Sequence, residues 1–444
     1  MEKSFSSKVG VLLAAAGSAV GLGSIWKFPY VVGENGGGAF IILYIVCSLI
    51  FGLPLIMNEF LIGKLSGRSA YSAYREVSGA RRRWQWMSWI NLLCVIVIMS
   101  FYFVVTGWCV YYMVEAASNA FAGMDARALE AHFDAFEGRA PIMLVYAVIA
   151  IVATASVLWF DVNKGIERLS KILMPLLFMM LVLMAIHMAF LDGGSAGLRY
   201  LFAPDFSKIT SKVILEAMGL SFFTLSVGMG ILVTYGGYMP KDQDVASTSA
   251  QMIVLVIIVS LLAGMIVFPA VFAYGFTPSQ GPELTFVTLP AVFQHMFSPT
   301  LTCTVFFGLM CVAAITSTIS LMEVMVAFFC DATAGTRHPL NRHQSVVVIA
   351  VIQIVTNALC ILSMTGHADW LSVMGRNLFD FGNILVTNIL IPVGALGAAL
   401  FTGWFVPGAR YQGSRVGSFL YLVVLRWLVP VAIVIIFLDS MNVI

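Results

Sequence analysis

The sequence predicts an all-helical polytopic membrane protein, made of two five-span halves of opposite topology and one extra span. Three observations carry that prediction. Of 444 residues, 60% are hydrophobic and only 10% charged, with mean hydropathy +0.95; a soluble domain of this size is about a quarter charged. The apolar residues gather into eleven stretches, and crossing a bilayer takes about 20 such residues. Two of the stretches, in matching positions of the two halves, are interrupted by glycines.

In chain order the spans read as residues 9–33, 38–63, 86–118, 140–160, 167–190, 213–239, 247–275, 300–330, 344–363, 369–402 and 416–438. Polar connections occupy 119–139 and 191–212, and a third, 276–299, holds a short surface helix at Phe286–Met296. No soluble domain of useful size is left over. The start, Met1 to Lys8, leads straight into a full span without a small-residue cleavage motif, so no cleavable signal is expected. Cys47, Cys94, Cys109, Cys303, Cys311, Cys330 and Cys360 all fall in apolar runs without metal-type spacing and read as packing residues.

Orientation follows from lysine and arginine. With the N-terminus inside, the inner loops hold a series running from Lys3 and Lys8 through Arg81, Arg82 and Arg83 to Arg410 and Arg415. The outer loops hold only Arg127, Arg139, Arg199, Lys208 and Lys212. Eleven spans then leave Asp439 to Ile444 outside. Spans 1–5 (9–190) and 6–10 (213–402) enter from opposite sides, which relates the two glycine-broken spans by inversion. Span 11 (416–438) is extra.

The first break is Gly17-Ser18-Ala19-Val20-Gly21-Leu22-Gly23-Ser24. Each glycine weakens a helix by roughly 1 kcal/mol relative to alanine. In hydrocarbon an unwound turn leaves peptide groups unpaired unless they line a cavity. Gly17 and Gly21 also form a G-x-x-x-G pair, which fits plain helix packing. The second break lies in Ser221-Phe222-Phe223-Thr224-Leu225-Ser226-Val227-Gly228-Met229-Gly230 and repeats the G-x-G element. Paired glycine-broken spans mark transport sites, a rule drawn in part from transporters of this architecture.

Ionisable groups inside spans are costly and usually functional. Glu59, late in span 2, can cap free amides of a broken helix, or relay protons. Lys27 lies just past the first break, and Asp380 near the outer part of span 10. At similar depth they can pair and close over a site, or snorkel separately. Ala313-Ala314-Ile315-Thr316-Ser317-Thr318-Ile319-Ser320 is a hydroxyl-rich patch in span 8. Such hydroxyls can bond back to their own helix; together with unwound carbonyls they can also replace the water of a small hard cation. No nucleophile–base or metal constellation points to an enzyme.

These residues resemble the neurotransmitter:sodium symporter family. The resemblance rests on Gly17 to Tyr30, the following Glu34-Asn35-Gly36-Gly37-Gly38-Ala39-Phe40, Phe222 to Ser226, Lys241-Asp242-Gln243-Asp244 and Ala313 to Ser317. It covers all eleven spans, and it implies the five-plus-five inverted repeat of the leucine-transporter (LeuT) fold, with helices 1 and 6 unwound and without a twelfth helix. It also implies a site between spans 1, 3, 6 and 8. Glycine at position 21 is the amino-acid form of the family, where monoamine members carry aspartate. By this likeness the Leu22 and Gly23 amides and the Tyr102 hydroxyl hold the substrate carboxylate. The Ala19, Phe223 and Thr224 carbonyls and Ser226 hold the ammonium. Ile98, Met229, Ser317 and Leu321 surround the side chain, with Phe223 as lid. Phe5, Tyr238 and Asp331 match an inner gate, whose usual arginine is out of register, so that Lys3 stands in.

The resemblance implies sodium-coupled import of a hydrophobic or sulfur-containing amino acid across a bacterial inner membrane, by alternating access. A transport-inactive amino-acid sensor of the same fold is the alternative; a channel fits less well with a paired outer gate. The partners are the amino acid, sodium and membrane lipid, with no nucleic acid. Gly17, Val20 and Ala313 carbonyls with Thr316 and Ser317 hydroxyls form the sodium site next to span 8. The second sodium site of the family is depleted: Ser24 stands for its asparagine and Val256 for its span 7 ligand, leaving the Ala19 carbonyl and Thr224. Chloride keeps Tyr44, Thr224 and Ser260, but Leu220 and Val256 replace its other ligands. One sodium and no chloride are expected.

Overall fold

Ser7 opens the first span: its hydroxyl accepts from the Gly10 amide at 3.0 Å, and the helix runs over Lys8–Ala19. It stops at Val20 (φ −84°, ψ 63°), and the chain resumes as a π-helix at Gly23–Lys27 and an α-helix at Phe28–Glu34. The two halves are bent by 49°. The computed structural model describes residues 4–79, 84–275, 284–296, 298–406 and 421–440. Among these, the regular structure is helical, with no strand beyond one isolated bridge between Val373 and Arg376.

Among the described residues, nine further helices are long and apolar enough to cross a membrane: Gly38–Ser66, Trp86–Ala117, Ala140–Leu158, Lys164–Ala189, Val245–Ala273, Pro299–Thr333, Arg342–Met364, Leu378–Phe405 and Tyr421–Leu438. They are spans 2–5 and 7–11. Span 6 is divided into Ser211–Thr224 and Ile231–Gly237. Neither piece crosses alone; at 1.5 Å per residue they reach about 21 and 10 Å, together about one bilayer core.

Proline explains where several spans loosen. The π turns Gly23–Lys27, Ser48–Gly52, Leu284–Thr288, Val386–Leu390 and Val424–Leu428 each end two residues before a proline: Pro29, Pro54, Pro290, Pro392 and Pro430. Proline has no N–H and its ring crowds the carbonyl four residues back. A wider turn relieves both without ending the helix.

Spans 3 and 8 pack along each other; the first half of span 1 lies against spans 5, 7 and 8, and the second half of span 6 against span 2. The two breaks therefore meet in the middle of the bundle. Two expectations are corrected. Span 10 begins at Leu378, not 369, because Asn377 caps it: its side chain accepts from the Asp380 amide at 2.8 Å. The short helix after span 7, Leu284–Phe293, is buried rather than on the surface. It is buried along its whole length, with Thr285 and Thr288 its only polar side chains, and Phe286 packs on Trp108 and Phe133 at 5.5 and 5.9 Å. The start of span 11 at 416–420, together with Lys3, Arg81, Arg82, Arg83, Arg410 and Arg415, lies outside the described residues, as do 441–444.

Candidate functional site

Breaking span 1 frees carbonyls, and side chains from three spans take them up. The Ser317 hydroxyl donates to Ser18 O at 3.1 Å and lies 3.4 Å from Gly17 O. Ser226 donates to Ser18 O at 3.3 Å, and Ser24 to Ala19 O at 3.1 Å. The break in span 6 depends on left-handed backbone at Ser226 (φ 55°), Gly228 (φ 80°) and Gly230 (φ 76°). At Gly228 a Cβ would stand 2.4 Å from Ile391 O, so only glycine passes there. The freed Gly228 amide donates to Glu59 Oε1 at 2.6 Å. Glu59 is 1% exposed.

Between the breaks lies a cavity of about 30 Å³, lined by Ser18, Ala19, Gly21, Gly23, Ile98, Tyr102, Phe223, Ser226, Met229, Ile231, Ser317 and Leu321. That is room for a water or two, so an amino acid would have to move the lining outward. The Leu22 amide donates to the Tyr102 hydroxyl at 3.1 Å, at one polar end. Ile98, Met229, Ile231 and Leu321 give the other end an apolar wall. Gly21 is tightly enclosed: a Cβ there would lie 1.9 Å from Ser317 Oγ and 2.8 Å from Tyr102 Oη. Of the residues assigned to this site, the side chain of Thr224 turns away to hydrogen-bond Tyr44 at 2.9 Å. Ser18 and Ile231 line the cavity without having been singled out in the sequence.

Beside the cavity, Gly17 of span 1 faces Thr316 of span 8; a Cβ on Gly17 would touch Thr316 Cβ at 3.4 Å. Thr316 donates back to Ala313 O at 2.9 Å and Val312 O at 3.1 Å, the self-bonding the sequence left open. Its oxygen keeps a lone pair for a cation. Gly17 O, Ala313 O, Thr316 Oγ1 and Ser317 Oγ are thereby gathered at one junction, next to the end of the helix at Val20. They are neutral oxygens suited to a hard monovalent ion; among the described residues no cluster of three or more His, Cys, Asp or Glu could hold a metal. On the opposite side, Tyr44, Thr224 and Ser260 sit together, and Ser48 donates to Ser221 at 3.0 Å.

Lys27 and Asp380 are not paired. Lys27 Nζ lies 3.4 Å from Thr387 Oγ1 and 4.4 Å from the centroid of the Phe223 ring. Asp380 is exposed in the first turn of span 10, seven residues or about 10 Å of helix away from Thr387. Lys27 instead shares a polar cavity of about 200 Å³ with Glu216, Lys212 and Thr387. On the N-terminal side the path is closed. Phe5 donates its amide to Tyr238 O at 2.9 Å and packs edge-on against Tyr235 and Tyr238 at 5.6 and 6.3 Å. Asp331 accepts from Ser69; Lys3 lies outside the described residues. Outside the spans, Lys8 bonds Asp242 at 3.0 Å and holds that carboxyl below the usual carboxylate range.

The strongest contacts on that side involve residues the sequence reading passed over. Tyr238 donates to Glu323 Oε1 at 2.8 Å. Arg342 grips both Glu323 oxygens at 2.9 and 2.7 Å and also donates to Leu158 O and Phe160 O. One fully buried carboxylate thus ties span 6 to spans 8, 9 and 4. Glu167, in the first turn of span 5, accepts from the Ser6 amide, the Ser6 and Ser7 hydroxyls and Lys171. Glu323 sits in a long apolar run, and a lone carboxylate there was the available signal.

The chain matches the sequence model of the Sodium:neurotransmitter symporter family over residues 2–132 and 129–443. A sodium-dependent transporter of Bacillus subtilis named YhdH, described as uncharacterized, is 35% identical over 447 residues, covering 99% of this chain and 98% of that protein. A similarly described transporter of Haemophilus influenzae is 30% identical, covering 99% and 98%. The crystal structure of MhsT in complex with L-phenylalanine superposes with a TM-score of 0.90 at 34% identity, covering 98% of this chain and 99% of that one. Broken spans 1 and 6 around a central cavity, and full-length similarity to sodium-dependent transporters, lead to one conclusion: the chain belongs to the sodium:neurotransmitter symporter family, has its LeuT-type fold, and is a sodium-dependent transporter rather than an enzyme.

Proposed function

We propose that the chain imports a hydrophobic or sulfur-containing amino acid as the zwitterion, with one sodium ion and without chloride. The observation that carries the reading is Gly21, against which Ser317 Oγ and Tyr102 Oη stand too close for any side chain. An aspartate to meet an amine has no room, whereas backbone amides and the Tyr102 hydroxyl remain for a carboxylate. Ala19, Gly21, Leu22, Gly23, Tyr102, Phe223, Thr224 and Ser226 hold the backbone of the substrate; Ile98, Met229, Ser317 and Leu321 hold its side chain. The phenylalanine bound by MhsT supports a large apolar substrate. Met229 is unbranched and adaptable, which favours a tolerant pocket.

Sodium sits among the oxygens of Gly17, Val20, Ala313, Thr316 and Ser317. Residues 9–190 and 213–402 act as the two inverted repeats, with 416–438 added. Glu59 stabilises the unwound part of span 6, while Lys27 with Asp380, and Phe5, Tyr238 and Asp331, close the two sides in turn. The N-terminus faces the cytoplasm of a bacterial cell and the C-terminus the outside. Uptake of labelled amino acids into proteoliposomes, with and without a sodium gradient, tests this. Saturable, sodium-dependent uptake of phenylalanine, leucine or methionine is the expected result. Binding without uptake makes the chain a sensor, and monoamines outcompeting every neutral amino acid refutes the substrate class.

A further inference from the structure

The outer surface of the bundle carries a feature that transport does not use. At the end of span 4, on the same side as the N-terminal segment, two apolar grooves of about 420 and 310 Å³ share Ser156 and Phe160. The first runs between spans 4 and 9, from Val152 and Trp159 to Val351. The second runs beside the start of span 5, over Leu169 and Ile172. Phe160 stands between them, 56% exposed. The backbone beneath it is anchored, since the Phe160 carbonyl accepts from Arg342 at 2.9 Å.

Lys164 and Arg168 line the second groove. Four residues apart, they project on one face of the chain as it enters span 5. Both are exposed, and among the described residues neither is in an ion pair. The neighbouring acids are not paired with them: Glu167 is taken by Ser6, Ser7 and Lys171, and among the described residues Asp161 is in no ion pair. Trp159 lies against His343 at 4.6 Å, an aromatic residue at the depth where membrane interfaces favour one. Two apolar troughs on either side of a wedge, beneath a pair of unneutralised cations, match two acyl chains joined at an anionic head.

We propose that this end of span 4 binds one anionic phospholipid, with an acyl chain in each groove and its phosphate at Lys164 and Arg168. The site is independent of the substrate cavity, so its failure leaves the transport reading untouched. Native mass spectrometry of the detergent-solubilised chain, titrated with phosphatidylglycerol or phosphatidylcholine, tests it. The wild type should retain one phosphatidylglycerol well below the concentration at which phosphatidylcholine binds. Lys164→Gln with Arg168→Gln should weaken that retention by about thirty-fold, the electrostatic worth of two basic side chains at a membrane surface. Ala350→Trp, which fills the first groove and keeps both charges, should weaken it too, and Lys241→Gln, an exposed cation elsewhere, should not. Equal retention of the two lipids, or an unchanged titration in the double variant, overturns the proposal.

Discussion

At residue 21 a single hydrogen in place of a side chain decides what the cavity can accept. Ser317 and Tyr102 approach its Cα so closely that even a methyl group would overlap them. Gly21→Asp is therefore expected to lower amino-acid uptake more than tenfold, since overpacking alone costs about 1–3 kcal/mol, and to confer no amine transport. Uptake of labelled phenylalanine and of a monoamine by the variant checks both parts; retained amino-acid uptake would mean the cavity opens around position 21. This residue was legible because glycine inside a span is costly and must be explained. Ile231 was not, because an isoleucine in an apolar run carries no mark of facing a cavity rather than lipid. The Thr224 hydroxyl bonds Tyr44, the residue with which the resemblance grouped it, while the sequence reading gave the substrate only the Thr224 carbonyl.

Among the spans, the closed side depends on how span 6 is tied to its surroundings. The Tyr238–Glu323–Arg342 contacts join four spans through one buried carboxylate. Removing one partner of a buried pair costs about 3–5 kcal/mol. Glu323→Gln should therefore loosen that side, with faster amide hydrogen exchange in Ser4–Gly10 and in Ile231–Gly237 and slower net uptake. Unchanged exchange in both segments would assign the closure to Phe5 and Asp331 instead. The opposite gate gives a second test. Lys27→Asp and Asp380→Lys should each cripple transport, and combining them should restore part of it if the two meet during closure. No recovery would leave Glu216, which already shares a cavity with Lys27, as the counter-charge. Spans and breaks were legible as elements because hydrophobic length and glycine spacing encode them directly. The Glu323–Arg342 tie was not: Arg342 reads as one more inner-loop cation until the turn after span 8 folds it back. The π turns ahead of five prolines were equally hidden, since proline says where a helix is disturbed but not how it recovers.

Across the whole molecule, the number of ions carried per cycle sets how far a gradient can concentrate substrate, and it depends on two neighbouring oxygen clusters. Next to span 8, oxygens from Gly17, Ala313, Thr316 and Ser317 already converge. Across the cavity, fewer oxygens remain for a second sodium: Ala19 O, which also accepts from Ser24 at 3.1 Å, and Thr224 Oγ1, which also bonds Tyr44 at 2.9 Å and Ser221 O at 3.2 Å. Span 7 lies against Gly23–Lys27, but Val256 is fully buried and offers no ligand. Two neutral oxygens replace too little of a cation's water shell. By the family resemblance Leu220 and Val256, both apolar and buried, replace two polar chloride ligands beside Tyr44, Thr224 and Ser260, and a bare anion is expected to be undersolvated there. The expected coupling is one sodium per amino acid, unaffected by replacing chloride with gluconate. Reversal-potential measurement of coupled flux in proteoliposomes reads the ratio directly; a ratio of two, or loss of transport without chloride, refutes it. The same assay separates the two clusters: Thr316→Ala with Ser317→Ala should abolish sodium dependence, whereas Ser24→Ala, which removes only a donor to Ala19 O, should cost much less.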